Sequence, residues 1–212
     1  MPYPRHITPA PPLELIDPAA NGGHAFVSRA GLKLQSAITA FKLDVTGRTC
    51  ADLGANVGGF TDSLLRAGAT KVYAVDTAYG VIAWTLRKDP RVVVKDRTNA
   101  MHVKLPELVG VAAIDVGWTR QSKVLPHAAT LLAEGGDVLT LVKPHYESEL
   151  AKTQRGILLP EQSVEVLWKV MDEIAQMKDD KGRGWEIRGV VESPIEGQKG
   201  NAEYVAWLRL TT

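Results

Sequence analysis

Asp76, Asp115, Lys143 and Glu203 are the polar residues most out of keeping with their neighbours. Asp76 follows Val72-Tyr73-Ala74-Val75, Asp115 follows Val111-Ala112-Ala113-Ile114, and Lys143 follows Val138-Leu139-Thr140-Leu141-Val142. Glu203 lies in Asn201-Ala202-Glu203-Tyr204-Val205-Ala206-Trp207-Leu208, an otherwise apolar strand. A lysine directly after an apolar run is unusual, because burying an unpaired ammonium is costly. A partner acid or a catalytic task would account for it, and so would a side chain that snorkels out at a strand end. If the strand holding Glu203 runs antiparallel beside the one ended by Lys143, then Glu203, Lys143 and Asp115 converge on one pocket. A nearby cation would lower the lysine pKa, and the carboxylates would raise it.

A second candidate site is the stretch Ala51-Asp52-Leu53-Gly54-Ala55-Asn56-Val57-Gly58-Gly59-Phe60. It reads as a strand end, a tight glycine turn and a helix start, a geometry that lets backbone N–H groups approach a ligand. A dinucleotide fingerprint wants glycine at its first, third and sixth places. Those places hold Gly54, Asn56 and Gly59, so the middle glycine is missing and the pattern is Asp52-x-Gly54-x-x-x-Gly58. Asp52, Gly54, Ala55, Asn56, Gly58, Gly59 and Phe60 are the candidate ligand contacts of this turn. Asp76, with Thr77 after it, lies about 20 residues downstream, where a carboxylate can accept the ribose hydroxyls of a bound nucleoside. Asp96 and Arg97 follow the next strand; they could reach an adenine edge or be ordinary loop residues.

These residues need a scaffold that collects strand ends. A helix is predicted from an N-cap at Ser28, with Leu32, Leu34, Ile38 and Phe41 as its apolar positions. Strands are predicted at 48–53, 71–75, 91–94, 111–114 and 137–142, with helices at 59–67, 81–87 and 123–133 between them. Gly135-Gly136 reads as the turn into the 137–142 strand. Val164, Leu167, Trp168, Met171 and Ile174 form a helical core stripe. A strand pair, 185–191 and 202–210, closes the chain. The alternation predicts an α/β, Rossmann-like fold: a mostly parallel seven-stranded sheet, antiparallel at its final strand, with helices on both faces. Ligands of such sheets bind beyond the carboxyl ends of the strands. Residues 1–25, rich in Pro, Ala and Gly, read as an irregular arm before a domain spanning 26–212.

Bulk properties narrow the class. A net charge of +1 gives no global basic signal, so binding to nucleic acid would need a local patch. Cys50 stands alone, which rules out an internal disulfide framework and fits a reducing compartment such as the cytoplasm. His6, His24, His102, His127 and His145 show no metal-ligand spacing, so no metal is expected. No apolar run is long enough to span a bilayer.

The sequence resembles the FtsJ-type RNA ribose 2′-O-methyltransferase family, and within it the branch labelled hemolysin A-like. The likeness runs from about Phe26 to Leu210. Its motifs are Val27-Ser28-Arg29-Ala30-Gly31-Leu32-Lys33-Leu34, the glycine turn, Val75-Asp76, Arg97-Thr98-Asn99, Ile114-Asp115-Val116, Leu141-Val142-Lys143-Pro144, and Ser193-Pro194-Ile195 with Gly200-Asn201-Ala202-Glu203-Tyr204. The resemblance implies S-adenosylmethionine (SAM) as cofactor, held by the turn, Asp76, Thr77, Asp96, Arg97 and Asp115. It also implies a Lys33-Asp115-Lys143-Glu203 tetrad acting on an RNA ribose hydroxyl, with ribosomal RNA or a ribosomal subunit as partner and no role for a membrane. Val116-Gly117-Trp118 stands where the family has Ser-Phe. The Pro-rich arm stands where the hemolysin-like branch carries an S4 RNA-binding domain. His145-Tyr146-Glu147 varies an aromatic-plus-acid pattern on the acceptor side. Arg29, Lys33, Lys42, Arg48, Lys152 and Arg155 are the candidate RNA-phosphate contacts. Three other readings stay open: a SAM-binding interaction protein without catalysis, a small-molecule O-methyltransferase, and an NAD-dependent oxidoreductase, which Asn56 disfavours.

Overall fold

The computed structural model describes residues 3, 5–21 and 23–211, with the side chains of all of these except 21, 152, 153 and 198. Short apolar strands alternate with helices, and parallel strands buried on both faces require helices on each side. The elements run β1 (Ile7–Thr8), α1 (Leu13–Ile16), α2 (Ala30–Phe41), β2 (Thr49–Leu53), α3 (Gly59–Arg66), β3 (Lys71–Val75), α4 (Trp84–Arg87) and β4 (Val92–Lys95). They continue with β5 (Val109–Ile114), α5 (Gln121–Leu131), β6 (Leu132–Val142), α6 (Pro144–Glu147), α7 (Glu149–Thr153), α8 (Pro160–Gln176), β7 (Trp185–Glu192) and β8 (Tyr204–Leu210).

Among the described residues the strands form one sheet in the order β1-β7-β8-β6-β5-β2-β3-β4. Only β8 runs antiparallel to its neighbours, β6 and β7. The seven expected strands are all present. The eighth, β1, comes from the arm and pairs parallel with β7 through Ile7↔Val190 and Thr8↔Val191. A strand of two residues carries no alternation from which to predict it. The arm is pinned by side chains instead: the Tyr3 hydroxyl and the Arg5 guanidinium both donate to Asp172 of α8, at 2.8 and 2.6 Å.

Alternate strand residues feed two cores. Ala51, Leu53, Ala112 and Ile114 pack with Leu167, Met171 and Ile174 of α8, so the expected helical stripe is core. Cys50, Val111 and Ala113 pack on the other face with Leu34, Ile38, Phe60 and Leu64 of α2 and α3.

Three local boundaries differ from expectation. Helix α2 starts at Ala30 with Arg29 as its N-cap and no side-chain cap bond, so Ser28 does not cap it. Residues 77–83 form a loop rather than helix; Gly80 is left-handed there, and the Ala83 N–H donates to Val57. Gly135-Gly136 lies inside β6 as a bulge, with Val109 opposite Leu132 but Val111 opposite Asp137.

Candidate active site

The chain leaves β2 towards β3 on one side and returns as β5 on the other, so a crevice opens at the carboxyl ends of β2 and β5. Gly54 turns out of β2 with φ 96°, and a Cβ there would lie 2.3 Å from the Asp115 carbonyl oxygen. Only glycine fits that approach. Asn56 is also left-handed, at φ 47°, a conformation asparagine tolerates. Its N–H donates to one oxygen of Asp76 at 2.7 Å, and the Ala78 N–H donates to the other at 2.8 Å. Asp76 is thus held by two backbone N–H groups, and each carboxylate oxygen keeps a further lone pair.

A cavity of about 450 Å³ lies over this crevice. It is lined by Gly54 and Asn56 of the turn, by Asp76 and Thr77 after β3, by Thr98, Asn99, Ala100 and Met101, and by Asp115, Trp118, Lys143 and Tyr146. Its size suits a small-molecule cofactor. Ala55 and Phe60 border a smaller cleft of about 70 Å³ against Ser28 and Ala30, which shares Gly54, Asn56 and Asp115 with the large cavity.

The remaining residues of the turn serve packing. A Cβ on Gly58 would meet Leu86 at 2.3 Å, and one on Gly59 would meet the Ser28 hydroxyl at 2.3 Å. These glycines let α3 approach α4 and α2 closely. Asp52 is fully buried, and one of its oxygens accepts from the Thr61 hydroxyl at 2.7 Å. The other oxygen has no partner among the described residues. Burial, opposed by the Thr61 bond and reinforced by the charges of Asp115 and Asp76, pushes the Asp52 carboxyl up to about 7. Asp96 pairs with Arg87 at 2.8 Å, and Arg97 sits over the Tyr79 ring at 4.4 Å. Neither borders the cavity; the residues just after them do.

The sheet register assembles the second cluster. Val142 at the end of β6 pairs with Tyr204 at the start of β8, so the flanking residues Lys143 and Glu203 meet at one edge. The Lys143 ammonium donates to Asp115, and the Lys33 ammonium, from α2, donates to Glu203. Glu203 is buried and Lys33 nearly so. Burial alone would pull the Lys143 pKa down. The charge and hydrogen bond of Asp115, with the charges of Glu203 and Tyr146, outweigh that and hold it above the ordinary lysine value. Lys143 is therefore a cation at neutral pH. A cavity of about 240 Å³, bordered by Arg29, Lys33, Lys143, His145 and Glu203, sits beside the pairs. Lys143 and Tyr146 belong to both cavities and mark where they join.

Some site residues carried little signal in the sequence. Trp118 is 87% exposed, left-handed at φ 52°, and stacked on Tyr146 with ring centres 6.1 Å apart. Its place three residues after Asp115 was the only pointer. Of the acceptor-side trio, His145 and Tyr146 line the cavities, whereas Glu147 caps α5 by accepting from the Gln121 N–H at 2.8 Å. The proposed basic face divides. Arg29 and Lys33 border the tetrad cavity. Arg48 sits at the amino end of β2, where it donates to buried Asp137 at 2.9 Å alongside Trp207 and Arg209. The side chain of Lys152 lies outside the described residues.

Comparison with known proteins bears on this site. Residues 26–210 match the FtsJ-like methyltransferase family. The chain is 38% identical over 192 residues to the 16S/23S rRNA (cytidine-2′-O)-methyltransferase TlyA of Mycobacterium tuberculosis, covering 89% of this chain and 70% of that protein. It is 35% identical to Hemolysin A of Brachyspira hyodysenteriae, covering 85% and 75%. A Lactococcus lactis protein assigned as a hemolysin superposes with a TM-score of 0.79 at 34% identity, covering 87% of this chain and 88% of that one. Among the described residues no helix is long and apolar enough to cross a membrane. The chain belongs to the FtsJ-like methyltransferase family and is a methyltransferase.

Proposed function

We propose that this enzyme transfers a methyl group from SAM to a ribose 2′-hydroxyl of RNA, with ribosomal RNA as the substrate. The observation that carries the reading is that the Lys143–Asp115 pair lines the cofactor-sized cavity while Lys143 also borders, with the Lys33–Glu203 pair, the cavity beside it. TlyA, with which the chain shares most of its length, acts on cytidine 2′-hydroxyls of ribosomal RNA by its name.

The residues present fit SAM. Gly54 leaves a cradle that a side chain would fill, Asp76 is held in place to accept ribose hydroxyls, and Thr98 to Met101 offer the wall for the base. When bound, SAM would supply a methyl group on a sulfonium, the sulfur leaving as a neutral thioether while the proton of the acceptor hydroxyl passes to solvent water.

The protein's own part is positioning. Lys143, charged and tethered by Asp115, donates a hydrogen bond to the acceptor oxygen and fixes it in line. Lys33 and Glu203 buttress that arrangement from α2 and β8. Holding two reactants at attack distance supplies much of the rate gain in such a reaction. Trp118, exposed beside the junction and backed by Tyr146, suits stacking of an unpaired base, the usual mode by which single-stranded RNA is held. Arg29, exposed beside the tetrad cavity, supplies positive charge for phosphate contact.

Incubation of the protein with methyl-labelled SAM and total RNA or ribosomal subunits, followed by digestion to nucleosides, tests the reading. Label on a 2′-O-methylnucleoside is expected. Label confined to a base, or absent from RNA, would refute it.

A further inference from the structure

Gly197 lies in the loop between β7 and β8 and borders the 240 Å³ cavity together with Lys33, Lys143 and Glu203. It does not border the 450 Å³ cofactor cavity. Its backbone, at φ −72° and ψ −171°, is extended and open to any residue, so the conformation does not call for glycine. The space does. A Cβ on Gly197 would lie 2.6 Å from the Glu203 carboxyl carbon, 3.2 Å from its Cγ, and closer still to Oε1. The side-chain position that Gly197 leaves empty is thus taken by one oxygen of Glu203. The other oxygen, Oε2, accepts from the Lys33 ammonium.

The loop is fastened where it meets this carboxylate. The Gly197 N–H donates to the Asn201 carbonyl at 2.9 Å, and the Ser193 N–H donates to the Glu203 carbonyl at 2.9 Å. The buried Asn201 side chain donates to the Gly156 carbonyl at 2.8 Å and accepts from the Leu158 N–H at 3.0 Å. A methyl group at position 197 therefore meets a pinned main chain on one side and the Glu203 carboxylate on the other, and the carboxylate is what gives way. Once moved, it leaves the nearly buried Lys33 without its acid and shifts a negative charge that acts on Lys143.

We propose that Gly197 is a positioning residue for methyl transfer: by leaving room for Oε1, it sets the Glu203 carboxylate against Lys33. This rests on the reading of the tetrad as the site of RNA ribose methylation. The requirement is for space at one carboxylate oxygen, so shortening that acid by one methylene should relax it.

The test is a cycle of four proteins: the unaltered chain, Gly197→Ala, Glu203→Asp and the double variant. Each is assayed for single-turnover methyl transfer at saturating ribosomal RNA, with SAM affinity and urea midpoint measured in parallel. Gly197→Ala should lower the transfer rate about tenfold or more, a coupling of the size usual for groups in contact. SAM affinity should stay within about twofold, since the residue is outside the cofactor cavity. With Glu203→Asp already present, the same alanine should cost less than about twofold in rate, and the loss in urea midpoint should shrink likewise. A glycine needed only for the loop would cost the same in both backgrounds. Gly197→Ala that unfolds while the double variant folds would support the inference. Unchanged transfer by Gly197→Ala, equal losses in both backgrounds, loss of SAM affinity, or failure of both alanine-bearing proteins to fold would overturn it. Absence of transfer by the unaltered protein would instead remove the functional reading, and the urea midpoints would still decide whether Gly197 places Glu203.

Discussion

Lys143 and Asp115 form an ion pair between the ends of adjacent strands, β6 and β5, and both line the 450 Å³ cavity. Their pairing holds the Lys143 pKa above the ordinary lysine value, and on the proposed function this leaves it to orient the acceptor rather than deprotonate it. Lys143→Ala should therefore reduce single-turnover methyl transfer at least about a hundredfold while leaving SAM affinity within about threefold. Rapid-quench assays and calorimetric titration with SAM check the two halves separately.

Lys33 and Glu203 form the more deeply buried pair. Lys33→Met leaves the Glu203 carboxylate uncompensated and should cost about 3 kcal/mol. Adding Glu203→Gln should recover part of that loss, because the two changes remove one shared interaction. Urea denaturation of the single and double variants measures the coupling; strictly additive losses would contradict it.

Gly54 lines the 450 Å³ cavity. Gly54→Ala forces a side chain at φ 96° and against the Asp115 carbonyl. A stability loss of about 2 kcal/mol is expected from backbone strain alone, together with loss of SAM binding. Thermal melting with and without SAM separates these, since the variant should show no ligand-induced shift.

The buried Asp52 sets a pH dependence whose sign follows from its raised pKa. With a folded value near 7 against an ordinary 3.8, the folded state holds its proton after the unfolded chain has lost it. Stability from this group is full below pH 3.8 and is lost as pH rises towards 7. His145, pulled down from 6.5 to about 4, acts the opposite way, adding stability as pH rises across that range. The difference between wild type and Asp52→Asn isolates the first effect. The variant should gain about 2–4 kcal/mol relative to wild type between pH 4 and pH 8. Denaturant midpoints at the two pH values measure it; a constant difference would contradict the burial argument.

The sequence revealed the site where local chemistry and strand order suffice. Asp76, Asp115 and Lys143 each end an apolar run, and the antiparallel placement of the last strand brings Glu203 to Lys143. What stayed hidden depends on contacts distant in the chain. Strand β1 is too short to show a period and exists through pairing with residues 190 and 191. Arg48 reads as a surface cation until Asp137 is found beside it, joined by Trp207 and Arg209. Gly58 and Gly59 fit a ligand turn equally well until the neighbouring helices show that they accommodate packing. Trp118 looks like core in composition, yet a left-handed backbone after Gly117 turns it outwards.

The central claim is that the cluster around Lys143 delivers a methyl group to a ribose hydroxyl of RNA. The most direct test is nucleoside mapping of ribosomal RNA after incubation with labelled SAM and either wild type or Lys143→Ala, with SAM binding confirmed for both. The expected result is label at a 2′-O-methylnucleoside with wild type and none with the variant. Equal labelling by the two proteins, or labelling of a base instead of the ribose, would contradict it.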